Sequence, residues 1–105
     1  MNMQNLMAQA QRMQKDIMNK KAEVDKKIFP GKSELVDVEV NGKKELVSVS
    51  IKNKSDITPD DLEILQDMII IAVNDAMKKV DDELNEVMGP YGNSLNGLLW
   101  FIQKV

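Results

Sequence analysis

Two clusters of carboxylates are the groups in this sequence that could act as general acids and bases. They consist of Asp60, Asp61 and Glu63, and of Asp81, Asp82, Glu83 and Glu86. The first cluster follows a helix start signal, where carboxylates interact favourably with the positive end of the helix dipole. The second lies beside Lys78 and Lys79, at spacings that allow ion pairs between successive helical turns. Capping, solvation and ion pairing therefore explain both clusters better than a catalytic carboxylate pair does.

The rest of the composition gives little support to catalytic chemistry. The chain contains no histidine, which removes the commonest general base and the commonest metal ligand together. It contains no cysteine, which excludes disulfides and thiolate chemistry. We find no phosphate-binding glycine loop, no nucleophile elbow and no metal-ligand spacing. We therefore expect a protein that is not an enzyme and that has no metal, no cofactor and no small-molecule substrate.

The positive charges are concentrated at the beginning of the chain. Residues 1–27 contain six basic and three acidic residues, whereas residues 56–105 contain three basic and ten acidic residues. The basic residues of the first segment are Arg12, Lys15, Lys20, Lys21, Lys26 and Lys27. A chain with a net charge of −3 can thus still present a local basic surface. From charge alone, the solvated faces of ordinary helices are the simpler explanation.

The centre of the chain predicts a β-hairpin from Leu35 to Ile51. Apolar β-branched residues alternate with polar residues in two runs, which are Val36, Val38 and Val40, and then Val47, Val49 and Ile51. Such alternation is typical of strands with one apolar face. Asn41-Gly42 between the runs is a strong hairpin signal, because both residues tolerate positive φ. A hairpin with a bare apolar face is not stable alone, so other elements must cover it.

The register of this hairpin follows from the length of its loop. We favour a four-residue loop, Asn41 to Lys44, over a loop of two residues. The longer loop pairs Val38 with Val47. It also pairs Val36 with Val49, whereas the shorter loop would place a glutamate opposite Val38. Either loop keeps both apolar rows on one face of the sheet.

A long helix is predicted before the hairpin, from residue 3 to about residue 27. Good helix formers dominate this segment, and no glycine or proline interrupts it. Its apolar residues recur at spacings of three, four and seven and are Met3, Leu6, Ala10, Met13, Ile17 and Val24. A helix of this length reaches about 36 Å, whereas the strands span about 20 Å. Part of the helix must therefore cover a partner or project from the domain.

The segment between this helix and the hairpin contains the turn signal Pro30-Gly31. Ile28 and Phe29 before it could form a short first strand. We expect that strand at the edge of the sheet, where proline is tolerated.

A second long helix is predicted after the hairpin. Thr58 is its expected N-cap, Pro59 its first residue, and two aspartates follow in the first turn. The helix should end at Val87 or Met88, before Gly89-Pro90. Residues 68–73 within it are apolar on every side and should therefore be buried on every side. The sheet can cover only one face, so the other face needs the first helix or a second copy of the protein.

The length indicates one domain, which we assign to residues 1–88, followed by a tail of residues 89–105. The tail begins as a loop and ends in the strongly apolar segment Leu98 to Val105. We expect this segment to dock on the body of the protein, on a partner subunit or, least favoured, on a membrane surface. No apolar run is long enough to span a membrane, and no signal peptide is evident, so we expect a cytoplasmic protein.

Three stretches of the sequence carry a family likeness. They are residues 3–14, the run Val38-Glu39-Val40-Asn41-Gly42 with the strand after it, and Val73-Asn74-Asp75-Ala76 with two lysines after it. In this order and spacing they resemble the YbaB/EbfC family of bacterial nucleoid-associated proteins across residues 1–88. The resemblance implies an α+β homodimer with helix–strand–strand–strand–helix subunits whose long helices project from a dimeric core. It also implies a DNA-binding protein of the cytoplasm and nucleoid that affects nucleoid organisation or gene expression.

The resemblance supplies no DNA-contact motif that can be transferred residue by residue, so we choose the candidates by charge. They are Arg12, Lys15, Lys20, Lys21, Lys26 and Lys27 on the first helix, and Lys78 and Lys79 on the second. The candidates for the dimer interface are Met3, Leu6, Ala10 and Met13 on the first helix, and Met68, Ile70 and Ile71 on the second.

The expected mode of DNA binding is electrostatic. A single arginine and no recognition-helix motif predict contacts with the phosphate backbone and little direct reading of bases. The alternative is a dimeric adaptor or scaffold for protein interactions, which the acidic C-terminal half of the chain favours.

Overall fold

A computed structural model describes residues 2–89 of the chain. The elements are helix α1 (Met3–Asp25), strands β1 (Ile28–Lys32), β2 (Val36–Asn41) and β3 (Leu46–Ile51), two 3₁₀ turns (Lys54–Asp56 and Pro59–Asp61), and helix α2 (Leu62–Val87). The strands form one antiparallel sheet in the order β1-β2-β3. The predicted α+β class and element order are therefore confirmed. The predicted tail lies outside the described residues, apart from Gly89.

Strand β1 is longer than the sequence indicated. The turn predicted at Pro30-Gly31 is wrong, because both residues lie within β1 and pair with β2. Proline is tolerated there because β1 is an edge strand and needs no N–H on its open side. Glycine is required because α2 lies directly on the strand, and a Cβ at Gly31 would be 2.0 Å from the carbonyl oxygen of Ala72.

The hairpin register predicted from the sequence is wrong by two residues. Val38 lies opposite Val49 instead of Val47, and Val36 lies opposite Ile51 instead of Val49. The pairing shifts between Glu39 and Val40, where a bulge interrupts the ladder. A bulge adds one unpaired residue to one strand, which the alternation of residue types does not reveal.

The turn of the hairpin also differs from the expected Asn-Gly geometry. The carboxamide oxygen of Asn41 accepts hydrogen bonds from the backbone N–H groups of Lys43 and Glu45, at 2.9 and 3.0 Å. Lys44 adopts the left-handed conformation, with φ of 63°, whereas no glycine in residues 2–89 has positive φ. Gly42 is needed for space instead, because a Cβ there would be 1.8 Å from the carbonyl oxygen of Val24.

The core lies between α2 and the strands β1 and β2. Its buried residues are Val24, Phe29, Val36, Val38, Val40, Ala72, Ala76 and Val80. The two alanines of α2 allow the helix to approach the sheet closely. Strand β3 lies beyond the edge of α2, so the side chains of Leu46, Val47 and Val49 stay 44–56% exposed.

The ends of α2 agree with the sequence to within three residues. Thr58, the predicted N-cap, donates hydrogen bonds from its N–H and its hydroxyl to the carboxylate of Asp61, at 2.9 and 3.2 Å. The first turn after Thr58 is a 3₁₀ turn, and α2 then runs from Leu62 to Val87. The predicted C-terminal boundary is confirmed.

Helix α1 projects from the domain. Only Val24 among its residues is buried, and every residue from Asn2 to Lys15 except Ala8 is exposed. The longest dimension of the molecule is 69 Å, and the two helices measure about 34 and 39 Å at 1.5 Å per residue. The helices therefore overlap only near their C-terminal ends, where Val24 shares the core with Val80.

Candidate nucleic-acid interface

Three of the predicted basic residues lie on one face of α1. Arg12, Lys15 and Lys26 are all exposed, and their spacing places them on the side of the helix away from Val24. The distance from Arg12 to Lys26 along the helix is about 21 Å at 1.5 Å per residue. This face can therefore contact several phosphates of one duplex.

The hairpin turn adds a fourth cation to this face. Lys26 and Lys43 line the same shallow hollow, of about 340 Å³, at the junction of α1 and the turn. Asp25 and Glu45 also line the hollow and moderate its positive potential. We call Arg12, Lys15, Lys26 and Lys43 the basic strip. Lys43 was missed in the sequence analysis, because only the fold brings the hairpin turn next to the end of α1.

The other candidate cations of α1 have different surroundings. Lys20 is half-buried and lies 3.2 Å from the carboxylate of Asp16, one turn earlier. Lys21 is exposed on the flank of the helix. Lys27 pairs with Glu83 of α2, and this hydrogen bond is the main reason that the pKa of Lys27 lies above its usual value. Lys27 therefore holds the C-terminal end of α1 against α2 in addition to carrying a charge.

The structure does not bring the two lysines of α2 into the basic strip. Lys79 donates a hydrogen bond to the carbonyl oxygen of Pro30 at 2.7 Å and lies 3.5 Å from the carboxylate of Asp75. It therefore fastens α2 to the outer strand of the sheet. Lys78 is exposed on α2, away from the buried residues Ala72 and Ala76.

A carboxylate of α2 is also held by the sheet. The side chain of Asp75 accepts a hydrogen bond from the backbone N–H of Lys32, the last residue of β1, at 3.0 Å. This hydrogen bond, with help from the charge of Lys79, holds the pKa of Asp75 below its usual value. Two acidic residues of α2 thus stabilise the fold: Asp75 contacts β1, and Asp81 pairs with Lys44 of the hairpin turn.

The candidate interface residues of α2 lie on two different sides of that helix. Ile70 and Ile71 are 57% and 51% exposed, so the first helix does not cover the outer face of residues 68–73. Cover by a second copy, the other predicted possibility, stays a prediction. Ile71 is one turn before Asp75 and therefore lies on the β1 side. Ile70 is three turns before Asp81, which pairs with the turn between β2 and β3, and therefore lies on the β3 side. Met68 is half-buried against the core.

Exposed apolar residues of β3 lie beside Ile70, on the β3 side of α2. Leu46 and Val49 are largely exposed, and Val49 pairs with Val38, whose side chain is buried beneath α2. Directly paired residues of a sheet point to the same face, so Val49 lies on the face that packs against α2, in the part of that face that α2 does not cover. We call Leu46, Val49 and Ile70 the β3 surface. Leu46 and Val49 were not predicted as interface residues, because residue patterns do not show which strands a helix covers.

The candidates for the dimer interface on α1 are exposed as well. Met3, Leu6, Ala10 and Met13 all lie on the projecting part of the helix.

Within residues 2–89, no three carboxylates are grouped so that they could bind a metal ion. None of the helices in this range is long and apolar enough to cross a bilayer.

Comparisons with known proteins show the family of this chain. Residues 1–95 match the model of the YbaB/EbfC DNA-binding family. A nucleoid-associated protein of Ligilactobacillus salivarius is 39% identical over 99 residues, which cover 93% of this chain and 95% of the relative. One from Streptococcus agalactiae is 43% identical over 96 residues, covering 90% and 97% of the two chains. A nucleoid-associated protein of Geobacillus kaustophilus is 52% identical over 40 residues, which cover 38% of this chain and 37% of the relative. The chain therefore belongs to the YbaB/EbfC DNA-binding family.

Proposed function

We propose that this protein binds DNA as a homodimer and contributes to nucleoid organisation or gene regulation in the bacterial cytoplasm. The observation that carries this proposal is the basic strip on a helix that projects from the domain. Family membership and the names of the relatives support DNA as the polyanion.

The basic strip suits contacts with the DNA backbone. Arg12, Lys15, Lys26 and Lys43 are exposed, and no ion pair engages their side chains within residues 2–89. Cations that contact phosphates release condensed counterions, so binding weakens as salt increases. Four lysine and arginine side chains offer no pattern for reading base edges. We therefore propose binding with little sequence preference.

The β3 surface supports the dimeric part of the proposal. An apolar face at the edge of a sheet is an aggregation hazard unless another element covers it. A second copy that contacts Leu46, Val49 and Ile70 would cover this face and would carry a second α1 helix. Two basic strips on one dimer bind a duplex with higher apparent affinity than one strip does.

The experiment is a titration of mixed-sequence duplex DNA at several salt concentrations. We expect the variant with Arg12, Lys15, Lys26 and Lys43 changed to Gln to lose at least about 3.6 units of the slope of log K against log salt, at about 0.9 for each phosphate contact of one strip. The charge-matched control changes Lys32, Lys44, Lys52 and Lys54, four lysines outside the strip that are not DNA-contact candidates, to Gln. We expect the control to keep most of the wild-type slope. An equal loss of slope in both variants would show that only total charge matters and would remove the strip as the binding surface.

A protein-interaction adaptor is the second candidate function. The exposed apolar residues of β3 and α1, together with the acidic C-terminal half of the chain, favour it. The same titration separates the two functions. Wild-type protein that does not bind DNA even at low salt would contradict the DNA-binding proposal and favour the adaptor.

A further inference from the structure

The face of α1 that buries Val24 continues as an apolar strip along the projecting part of the helix. Its members are Met3, Leu6, Ala10, Met13 and Ile17; we call them the α1 strip. Val24 is 1% exposed, whereas Leu6 and Met13 are each 45% exposed and Met3 is 75% exposed. A helix of a globular protein normally buries such a strip against a neighbour. Within residues 2–89, nothing buries Met3, Leu6, Ala10 or Met13, and Ile17 is only half-buried.

The C-terminal end of α2 lies close to the C-terminal end of the α1 strip. Leu84 and Val87, in the last turns of α2, pack against the core cluster that contains Val24. Lys27, just beyond α1, pairs with Glu83. The chain that follows α2 therefore starts beside the C-terminal part of α1, and the uncovered strip extends from there toward Met3.

The sequence supplies an apolar segment at a suitable distance from this point. Residues 98–102, which lie outside the described residues, read Leu-Leu-Trp-Phe-Ile. Nine residue steps from Gly89 to Leu98 span up to about 30 Å when extended. The distance along α1 from Lys20 to Leu6 is about 21 Å. The segment can therefore reach most of the α1 strip of its own chain.

We propose that residues 98–102 dock on the α1 strip of the same chain. Methionine side chains adapt to irregular partners, and their sulfur atoms make favourable contacts with aromatic rings such as those of Trp100 and Phe101. This contact covers apolar surface on both sides. It also supports the projecting helix from the face opposite the basic strip. The inference does not depend on DNA binding.

Disulfide trapping in the full-length protein tests this contact directly, because the chain has no cysteine of its own. One variant combines Met13→Cys with Leu98→Cys. The matched control combines Gln11→Cys with Leu98→Cys, and Gln11 lies two residues away, about 200° around the helix. Under dilute oxidising conditions, we expect the first pair to form an intrachain disulfide at least tenfold faster than the control. Non-reducing electrophoresis and mass spectrometry distinguish intrachain bonds from interchain bonds.

Two results of the trapping experiment would overturn the proposal. Equal rates for the two pairs would show that the segment does not prefer the α1 strip. A covalent dimer as the main product would show that the strip contacts the segment of a second copy. Neither readout involves DNA, so a failure here is distinguishable from a failure of the DNA-binding proposal.

The single tryptophan provides a second readout in the unmodified chain. If Trp100 docks on the α1 strip, its fluorescence emission is blue-shifted relative to free tryptophan in water. We expect Met13→Asp to shift the emission to the red and Gln11→Asp to leave it unchanged, with circular dichroism confirming equal helix content. Wild-type emission equal to that of free tryptophan would contradict the proposal.

Discussion

Gly31 determines how closely α2 can approach the sheet. An added Cβ would lie 2.0 Å from the carbonyl oxygen of Ala72 and 2.9 Å from the backbone nitrogen of Ala76. Both are backbone atoms of a long helix, so neither can move without moving the helix. The position therefore accepts glycine for reasons of space rather than of backbone conformation.

We predict that Gly31→Ala lowers the free energy of unfolding by about 2 kcal/mol, as expected when extra volume is forced into a packed core. Urea denaturation monitored by circular dichroism measures the change. Gly89→Ala is the matched control, because a Cβ at Gly89 meets nothing within 4 Å. We expect that control to change stability by less than about 0.5 kcal/mol. Equal stability of Gly31→Ala and the wild type would contradict the close packing of α2 on β1.

At the scale of elements, polar contacts hold α2 against β1, one of the two edge strands of the sheet. Asp75 accepts a hydrogen bond from the N–H of Lys32, and Lys79 donates one to the carbonyl oxygen of Pro30. The hydrogen bond to Asp75 favours its ionised form and lowers its pKa in the folded state. A carboxyl with a lowered pKa stabilises the fold above its unfolded pKa of 3.8, and this stabilisation is lost as the pH falls through the lower folded pKa.

We therefore predict that Asp75→Asn weakens the fold at neutral pH and that its difference from the wild type shrinks as the pH falls below 3.8. Asparagine keeps an acceptor oxygen but carries no charge to titrate. Urea midpoints of both proteins between pH 7 and pH 2.5 measure the difference. A difference that stays constant across this range would show that the charge of Asp75 does not contribute.

The same scale shows what the sequence could predict about the fold. The spacing of Val36, Val38 and Val40 correctly identified a strand with one buried face. Thr58 located the start of the second helix to within three residues, because a 3₁₀ turn follows it and α2 begins at Leu62. The register failed because a shift of two residues keeps Val36, Val38 and Val49 on the same face, so both registers satisfy their alternation. The bulge and the left-handed Lys44 arise from the turn geometry, which residue types alone did not indicate.

The candidate site could be predicted only in part. Charge identified Arg12, Lys15 and Lys26 as candidates. They share one face because their spacing matches the helical period. Lys43 and the β3 surface required the tertiary structure. Lys43 joins the basic strip only because the hairpin turn packs against α1, where Gly42 leaves room for the carbonyl oxygen of Val24.

At the scale of the whole molecule, one subunit leaves a large part of its apolar surface uncovered. The α1 strip and the β3 surface lie on separate elements, and we propose a different partner for each: residues 98–102 for the α1 strip and a second copy for the β3 surface. A dimer through β3 would carry two projecting helices of about 34 Å each at 1.5 Å per residue. Its basic strips would then contact the duplex at two separate places.

We predict that Val49→Asp weakens dimerisation by about thirtyfold, because a charge in the centre of an apolar interface costs about 2 kcal/mol or more. Val49 is 44% exposed in the subunit, so the aspartate can be solvated in the monomer and the fold is expected to persist. Light scattering over a range of concentrations measures the dissociation constant.

The matched control is Ile64→Asp. Ile64 is 49% exposed and lies two turns before Ile71, on the β1 side of α2. We expect this variant to remain as dimeric as the wild type and to bind DNA equally well.

The Val49→Asp variant should bind DNA with lower apparent affinity, although each chain keeps its own basic strip, because the avidity of two strips is lost. Dissociation of the Ile64→Asp variant, with Val49→Asp still dimeric, would move the interface to the β1 side.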